Sequence, residues 1–304
     1  MLRALKRGGT VVTLPNFEYL AVKSLKEAVE SAAQRAGHCV LMAGGTDVIL
    51  LLKEQVLKGV DTVIDLKGMP GLDGIEYTEG RGLTVGALAK LYEIHNSPIV
   101  REKLPAVADA AHYVASTQIR RKGTMAGNIC NASPSADTAP IIIAMKAVIK
   151  TASVDGCREI PAGEFFTGVK RTCLDKAKGE MVTAIFIPEL GAGEGSAYFK
   201  HAVRKAMDLA IIGVAAWVKV GGGIIKDCRI AMGGVGVTPL RAPEAEKLLI
   251  GHAMTEELLD EASRAAAAAA HPISDVRASA EYRTDMVRVY TKRAVKKAIE
   301  SLKA

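Results

Sequence analysis

Apolar and polar positions in the first part of the chain predict a βαβ unit. Apolar side chains recur at helical spacing over residues 24–37, where Ser24 is a suitable N-cap, so a helix is predicted there. Short apolar runs at residues 39–42 and 62–66 predict two strands, with a second helix from about Asp47 between them. Two consecutive glycines separate the first of these strands from that helix. The pattern is typical of a βαβ unit whose first turn is rich in glycine.

The pattern changes after this unit, because short apolar runs then lie between helical stretches without a regular alternation. Runs at residues 83–87, 147–153 and 181–188 predict strands, with helical patterns between them. A doubly wound sheet would alternate strand and helix throughout, so the sequence favours an α+β fold. We expect an N-terminal domain of residues 1–190. Its expected subdomains are residues 1–67 and 68–190.

A glycine-rich segment after Pro188 predicts a linker to a second domain. Beyond it, two apolar runs flank the glycines at residues 221–223, which predicts a β-hairpin with these glycines at its turn. Three helical patterns follow, at residues 242–250, 255–270 and 279–302. We therefore expect residues 195–304 to form a C-terminal domain of a small antiparallel sheet and a helical bundle.

Composition and charge narrow the class of protein. The chain has 304 residues, of which 49% are hydrophobic, so it can bury a core large enough for two domains. Its net charge is +7, but acidic residues lie among the basic ones and aromatic residues make up only 4%, which disfavours nucleic-acid binding. The five cysteines are dispersed without metal-ligand spacing, which indicates reduced thiols and a cytoplasmic location. No apolar run approaches the roughly 20 residues of a membrane span.

The glycine-rich turn at residues 43–47 is a candidate phosphate site. Its backbone N–H groups and the start of the following helix would point to one place, and glycine would let a phosphate approach closely. The alternative is a plain tight turn in which Thr46 or Asp47 caps the helix. An NAD-binding turn is a further alternative, because Asp65 lies about 20 residues beyond Gly45. The third glycine of that motif is missing, however.

A second candidate loop lies in the polar stretch at residues 116–140, whose middle lacks the apolar periodicity of a helix or strand. It has small residues and unhindered amides from Gly123 to Asn128, followed by the polar side chains of Asn131 and Asp137. A dinucleotide needs donors for its pyrophosphate from more than one side, and polar groups for its sugar. Two such loops favour a dinucleotide over a mononucleotide. The alternative is a long polar surface loop.

Five segments of the chain together resemble a known family. They are AGGTD at 43–47, QIRRKGTMAGNICNASPSAD at 118–137, EMVTAIFIP at 180–188, FKHAVRKAMDLAIIGVA at 199–215 and GGVGVTPLRAPEAE at 233–246. In this order they resemble the FAD-binding medium subunit of the molybdenum hydroxylases. That family includes xanthine dehydrogenase, aerobic carbon monoxide dehydrogenase and 4-hydroxybenzoyl-CoA reductase. The likeness covers residues 14–299, which is nearly the whole chain.

The resemblance implies a PCMH-type FAD-binding domain of two subdomains with the flavin between them, followed by the C-terminal domain. It implies that residues 41–48 wrap the pyrophosphate and that residues 124–128 complete this contact. Asn131 and Asp137 would meet the sugar or ribityl hydroxyls. The expected FAD contacts are Leu41, Met42, Ala43, Gly44, Gly45, Thr46, Asp47, Val48, Val114, Ala115, Thr124, Met125, Ala126, Gly127, Asn128, Asn131, Asp137, Leu209 and Lys226.

The resemblance further implies an electron-transfer role in a larger complex. A molybdenum cofactor on a large subunit and [2Fe-2S] clusters on a small subunit would supply electrons, which FAD would pass to an external acceptor. We expect a dimer of heterotrimers, with no metal and no catalytic side chain on this chain. The alternatives are a free-standing FAD-dependent oxidoreductase and a non-catalytic FAD-binding assembly module.

The sequence departs from the family pattern at two positions. Ala126 stands where the second loop of the family has a glycine. The loop either tolerates the added methyl group or is moved slightly by it. Cys130 lacks the neighbouring cysteines of the reductase type that carries an extra iron–sulfur cluster, so we expect no cluster on this chain.

Overall fold

The structure is a computed structural model that describes residues 14–302 and the two strands Lys6–Arg7 and Thr10–Val11. Within these ranges the strands are β1 (Lys6–Arg7), β2 (Thr10–Val11), β3 (Glu18–Ala21), β4 (Cys39–Met42), β5 (Thr62–Asp65), β6 (Ile75–Thr78), β7 (Gly82–Gly86), β8 (Val148–Ser153), β9 (Gly156–Pro161), β10 (Phe166–Gly168), β11 (Arg171–Thr172), β12 (Met181–Pro188), β13 (Glu194–His201), β14 (Ile212–Gly221), β15 (Ile224–Gly233) and β16 (Leu240–Arg241).

The α-helices in the same part of the chain are α1 (Leu25–Gln34), α2 (Val48–Lys53), α3 (Leu91–Asn96), α4 (Pro98–Lys103), α5 (Pro105–Tyr113), α6 (Thr117–Arg120), α7 (Met125–Cys130), α8 (Thr138–Ala144), α9 (Pro243–Leu249), α10 (Glu256–Ala268) and α11 (Ala280–Glu300). Among the helices of residues 14–302, each is too short or too polar to cross a membrane.

The N-terminal subdomain is a small parallel sheet that contains the predicted βαβ unit. Strands β3, β5 and β4 pair in that order, and β4 runs parallel to β5 with α2 between them along the chain. Ser24 caps α1, because its hydroxyl accepts a hydrogen bond from the backbone N–H of Glu27 at 3.2 Å. The helix ends at Gln34 and does not reach the predicted Gly37, since the chain turns over residues 35–38 to enter β4.

The second subdomain is a five-stranded antiparallel sheet with the order β6-β7-β12-β8-β9. Its strands β7, β8 and β12 fall on the three predicted runs. Helices α5, α7 and α8 bury their apolar side chains in the same core as this sheet. Every residue of α8 is buried, because β14 and β15 of the C-terminal domain cover its other side.

The C-terminal domain has the predicted hairpin and helices. Strands β14 and β15 form an antiparallel hairpin in a four-stranded sheet of order β13-β14-β15-β16. Alternate residues of β14 belong to different cores: Ala215 and Trp217 pack on the side of α8, whereas Val214 and Ala216 pack with the C-terminal helices. Residues 212–218 are therefore buried on both faces of the sheet.

The polar stretch at residues 116–140 is helical in part, which its apolar pattern did not predict. Helices α6 and α7 lie within it, and α8 begins near its end. Both short helices start at a side-chain cap, since the hydroxyls of Ser116 and Thr124 accept hydrogen bonds from the backbone N–H groups of Ile119 and Gly127. The alternative of a long polar surface loop is wrong, because this stretch forms capped helices and several of its side chains are buried.

Glu180 is a buried carboxylate that joins β12 to its neighbours. Its side chain is 3% exposed and accepts hydrogen bonds from the Arg158 guanidinium at 2.6 and 2.8 Å and from the Thr151 hydroxyl at 2.7 Å. Burial alone would raise the pKa of Glu180, but these donors and the backbone N–H of Asp175 outweigh burial and hold the pKa at about 2. The ionised carboxylate is therefore the form that the fold requires.

We expect Glu180→Gln to lower the free energy of unfolding at neutral pH by about 1–2 kcal/mol, because it weakens three hydrogen bonds to a buried carboxylate while the half-exposed Arg158 remains solvated. Since the folded-state pKa lies below the ordinary value of 4.5, the wild-type carboxylate stabilises the fold above that pH and loses its contribution as the pH falls towards about 2. Denaturant unfolding across this range should show a shallower decline for the variant. Glu79→Gln is the control, since that side chain is 82% exposed. Identical acid profiles for Glu180→Gln and the wild type would contradict the assignment.

Candidate functional site

The two predicted loops lie directly against each other. Gly44 of the first loop packs so closely on the second that a Cβ at this position would lie 2.1 Å from the carbonyl oxygen of Lys122. On the other side of the contact, a Cβ built on Gly123 would lie 3.5 Å from the Thr46 hydroxyl. A side chain does not fit at residue 44, so glycine is a condition for the contact. The fold thereby joins two segments that are far apart in the sequence.

The first loop presents a row of backbone donors. Within the described part of the chain, the N–H groups of residues 44–48 donate to no protein acceptor. Gly45 has a φ of +75°, a conformation that favours glycine. Asp47 precedes α2, but its carboxylate accepts no hydrogen bond from the N–H groups of the helix, so its side chain does not cap α2. Successive N–H groups of this kind suit the oxygens of a bound anion.

The second loop is the start of α7 and not an irregular segment. Asn128 is tied to the next helix, because its Oδ1 accepts a hydrogen bond from the Thr138 hydroxyl at 2.6 Å. Met125 and Ala126 are buried in the core of the second subdomain. The methyl group of Ala126, which stands where the family has a glycine, therefore packs within this core.

Lys170 lies against the second loop, although no sequence signal marked it. Its ammonium group donates to Asn131 Oδ1 at 2.8 Å, and its backbone N–H donates to the carbonyl oxygen of Ala132 at 2.9 Å. Burial raises the pKa of the Asp47 carboxyl, and the nearby charge of Lys170 partly opposes this effect. The turn between β10 and β11 carries Lys170 to this place with a φ of +58°. A positive charge thus lies on the second loop and acts on Asp47 of the first.

The segment that contains Val114 and Ala115 lies beside the segment that leads to Leu209. The first two residues follow α5, and the backbone N–H of Met207 donates to the carbonyl oxygen of Ala115 at 3.2 Å. Leu209 lies in the segment before β14 and its side chain is 47% exposed. We call these three residues the apolar wall.

Asp137 lies in a buried ion pair between the two domains. One of its carboxylate oxygens accepts a hydrogen bond from the Tyr198 hydroxyl at 3.0 Å, and the other accepts one from the Lys200 ammonium at 2.9 Å. Burial raises the pKa of Asp137 to about 6, against the opposing effect of Lys200. Each oxygen already accepts one hydrogen bond from the protein, and the side chain is only 8% exposed, so little of this carboxylate is accessible to sugar hydroxyls.

Lys226 lies apart from the loops. Its neighbour Asp227 pairs with Lys146 at 2.9 Å, beyond the C-terminal end of α8, whereas Asp137 lies at the N-terminal end of this helix. With a rise of about 1.5 Å per residue, the seven residues of α8 separate these two ends by about 10 Å. Lys226 itself lies near the turn of the hairpin, with its side chain beside Gly221, and its contact with FAD stays a prediction.

Asp65 is also engaged within the protein. It ends β5 and is 4% exposed, and its carboxylate accepts hydrogen bonds from the Tyr19 hydroxyl and from the ammonium and backbone N–H of Lys67. The ribose contact of an NAD-binding turn would need this carboxylate to be accessible. The NAD alternative is not supported. Among the residues described, no group of three or more His, Cys, Asp and Glu side chains is arranged to hold a metal ion.

Comparison with known proteins agrees with this geometry. Residues 15–190 match the family model of the FAD binding domain in molybdopterin dehydrogenase, and residues 197–298 match that of the CO dehydrogenase flavoprotein C-terminal domain. The glyceraldehyde dehydrogenase medium chain of Sulfolobus acidocaldarius is 34% identical over 93% of this chain and 98% of its own length. The carbon monoxide dehydrogenase medium chain of Hydrogenophaga pseudoflava is 34% identical over 92% of this chain and 96% of its own.

A solved structure is similar over the same extent. Carbon monoxide dehydrogenase from Hydrogenophaga pseudoflava, in a form that lacks the Mo-pyranopterin moiety, has a chain that superposes with a TM-score of 0.91 at 34% identity. The match covers 96% of this chain and 100% of that one. The chain therefore belongs to the FAD-binding medium subunits of the molybdenum hydroxylase family, which are parts of molybdenum-dependent oxidoreductases. FAD is the cofactor of this family. The backbone N–H groups of residues 44–48, which have no acceptor among the described residues, fit its pyrophosphate.

We expect Gly44→Ala to weaken FAD binding by at least about tenfold, because the added methyl group pushes the first loop away from Lys122 and strains the packing by about 1–3 kcal/mol. Fluorescence titration with FAD and denaturant unfolding measure the two effects. Gly163→Ala is the matched control, since a Cβ there meets nothing within 4 Å. A folded Gly44→Ala protein with wild-type FAD affinity would show that loop contact is not needed for binding.

Proposed function

We propose that this chain is the electron-transfer subunit of its complex and that FAD lies across the contact between the two loops. The N–H groups of residues 44–48 would hold the pyrophosphate, residues 124–128 would line the opposite side, and Asn131 would meet the sugar. The contact of Gly44 with Lys122 carries this proposal, because it places backbone N–H groups that have no acceptor in the described residues next to the second loop. When bound, FAD supplies the capacity to take up and release electrons one or two at a time.

Two residues change their role in this proposal. Asp137 shapes the site through its ion pair with Lys200 and is not proposed as a direct contact, because its side chain is only 8% exposed. Lys170 is added as an exposed positive charge beside the second loop, from where it would reach the pyrophosphate. Lys226, near the turn of the hairpin, stays an expected contact of FAD.

We further propose that the electrons come from partner subunits. A large subunit with the molybdenum cofactor and a small subunit with [2Fe-2S] clusters would complete the complex, assembled as a dimer of heterotrimers. The support is membership of the family, whose relatives named above are medium chains and hence parts of larger enzymes. The expected compartment is the cytoplasm. FAD on this chain would then pass the electrons to an external acceptor.

The purified chain should bind FAD in preference to FMN, because the two loops would hold a pyrophosphate that FMN lacks. It should also prefer FAD to NAD, because Asp65, which would bind the ribose of NAD, is buried and paired with Lys67. Reconstitution with each cofactor, removal of the excess and chromatography of what denaturation releases will test this. We expect one FAD per chain. Release of FMN alone, or of no flavin after reconstitution with FAD, would refute the proposed site.

The FAD-loaded chain by itself should not oxidise small organic substrates, yet its chemically reduced flavin should pass electrons to an artificial acceptor. Absorbance of the flavin follows both reactions, with aldehydes and purines as substrate probes and ferricyanide as the acceptor. Purification from the native host should yield a complex with one larger and one smaller subunit. Direct reduction of the flavin by a substrate would establish the free-standing oxidoreductase. A reduced flavin that no acceptor reoxidises would favour the assembly module.

A further inference from the structure

Lys200 is a buried lysine at the point where the C-terminal sheet meets the second subdomain. It lies on β13 next to the end of α5, and its side chain is 7% exposed. The ammonium group donates three hydrogen bonds: to Asp137 Oδ2 at 2.9 Å, to the carbonyl oxygen of Tyr113 at 2.9 Å and to the carbonyl oxygen of Asp208 at 2.8 Å. A lysine ammonium has three donors, so every one of them is used.

The three acceptors belong to three different parts of the proposed FAD site. Asp137 ends the second loop, Tyr113 immediately precedes Val114 and Ala115, and Asp208 immediately precedes Leu209. Two of the acceptors are therefore the residues that lead into the apolar wall. The bond from Met207 N–H to the carbonyl oxygen of Ala115 joins the two halves of the wall to each other, but within the described residues the Lys200 ammonium links them both to the second loop.

We propose that Lys200 is a positioning residue that holds the apolar wall in register with the two loops, so that a planar ring of FAD can pack on it. This inference rests on the proposed FAD site. Val114 is 8% exposed and anchors the wall in the core, so Ala115 and the exposed Leu209 provide its accessible apolar surface. Such a surface has no row of donors, which suits one of the two ring systems of FAD and not its pyrophosphate. Lys200 itself would not touch the cofactor, because its three donors are already engaged.

The charge of Lys200 also compensates the buried carboxylate of Asp137, and this second role must be separated from positioning. Lys200→Met removes the three hydrogen bonds and leaves Asp137 without a counter-charge, which is costly in a buried place. The double variant Lys200→Met/Asp137→Asn removes both charges and keeps the hydrogen-bonding partner of Tyr198. It removes the uncompensated charge, but the carbonyl groups of Tyr113 and Asp208 still lack the hydrogen bonds that Lys200 donates.

We expect Lys200→Met to lower the affinity for FAD by about tenfold or more, because affinity falls in proportion to the fraction of molecules in which the wall is in place. Titrations with FAD, ADP and FMN on the full chain, followed by fluorescence or calorimetry, give the affinities. The loss should appear for ADP or for FMN but not for both, since the wall takes one ring. Lys219→Met, which removes a half-exposed lysine from β14, is the matched control and should bind as the wild type does.

The double variant decides between the two roles. We expect it to unfold at a higher denaturant concentration than Lys200→Met while its FAD affinity stays low, and it serves as the test protein if Lys200→Met does not fold. Recovery of FAD affinity together with stability would show that Lys200 only neutralises Asp137, and so would overturn the inference. An equal loss for ADP and FMN would overturn it as well. A wild-type chain that binds no FAD would instead refute the proposed function.

Discussion

The contact between the backbone of Gly44 and the backbone of residues 122–123 is the constraint on which the site depends. Because a Cβ at residue 44 would stand 2.1 Å from a carbonyl oxygen, the two subdomains approach here as closely as two main chains can. Within the described residues, the N–H groups of residues 44–48 in the first loop have no acceptor in the protein. An anion can replace the missing acceptors, which favours the proposed place of the cofactor at the junction of the subdomains.

Burial of α8 ties this junction to the C-terminal domain. The helix is apolar on all sides because the second sheet covers one side and the C-terminal sheet covers the other. At its N-terminal end, Asp137 and Lys200 form an ion pair whose side chains are 8% and 7% exposed. The pair joins a residue of each domain, and removal of either charge alone would leave the other uncompensated. The C-terminal domain thereby shapes a site whose loops it does not contain.

Two lysines that the fold brings to the site differ in what their charges can do. Lys200 has every donor engaged by the protein, so it acts through the segments that it holds. Lys170 is exposed and shares its charge between Asn131 and the neighbourhood of Asp47, so it stays available to a phosphate. The site therefore combines a rigid buried charge that positions its walls with an adjustable exposed charge that suits an anionic cofactor.

Local sequence determined the elements whose signals lie within a few residues. The strands Cys39–Met42 and Met181–Pro188, the hairpin of β14 and β15, and the glycine turn between β4 and α2 were all predictable, because apolar alternation and glycine act through neighbouring residues. Only the tertiary structure decided that α8 is a helix, that Gly44 meets Lys122, and that Lys170 and Lys200 reach the site. Each of these depends on burial or on a hydrogen-bond acceptor from a distant segment. The local sequence does not determine which distant segments will pack against it.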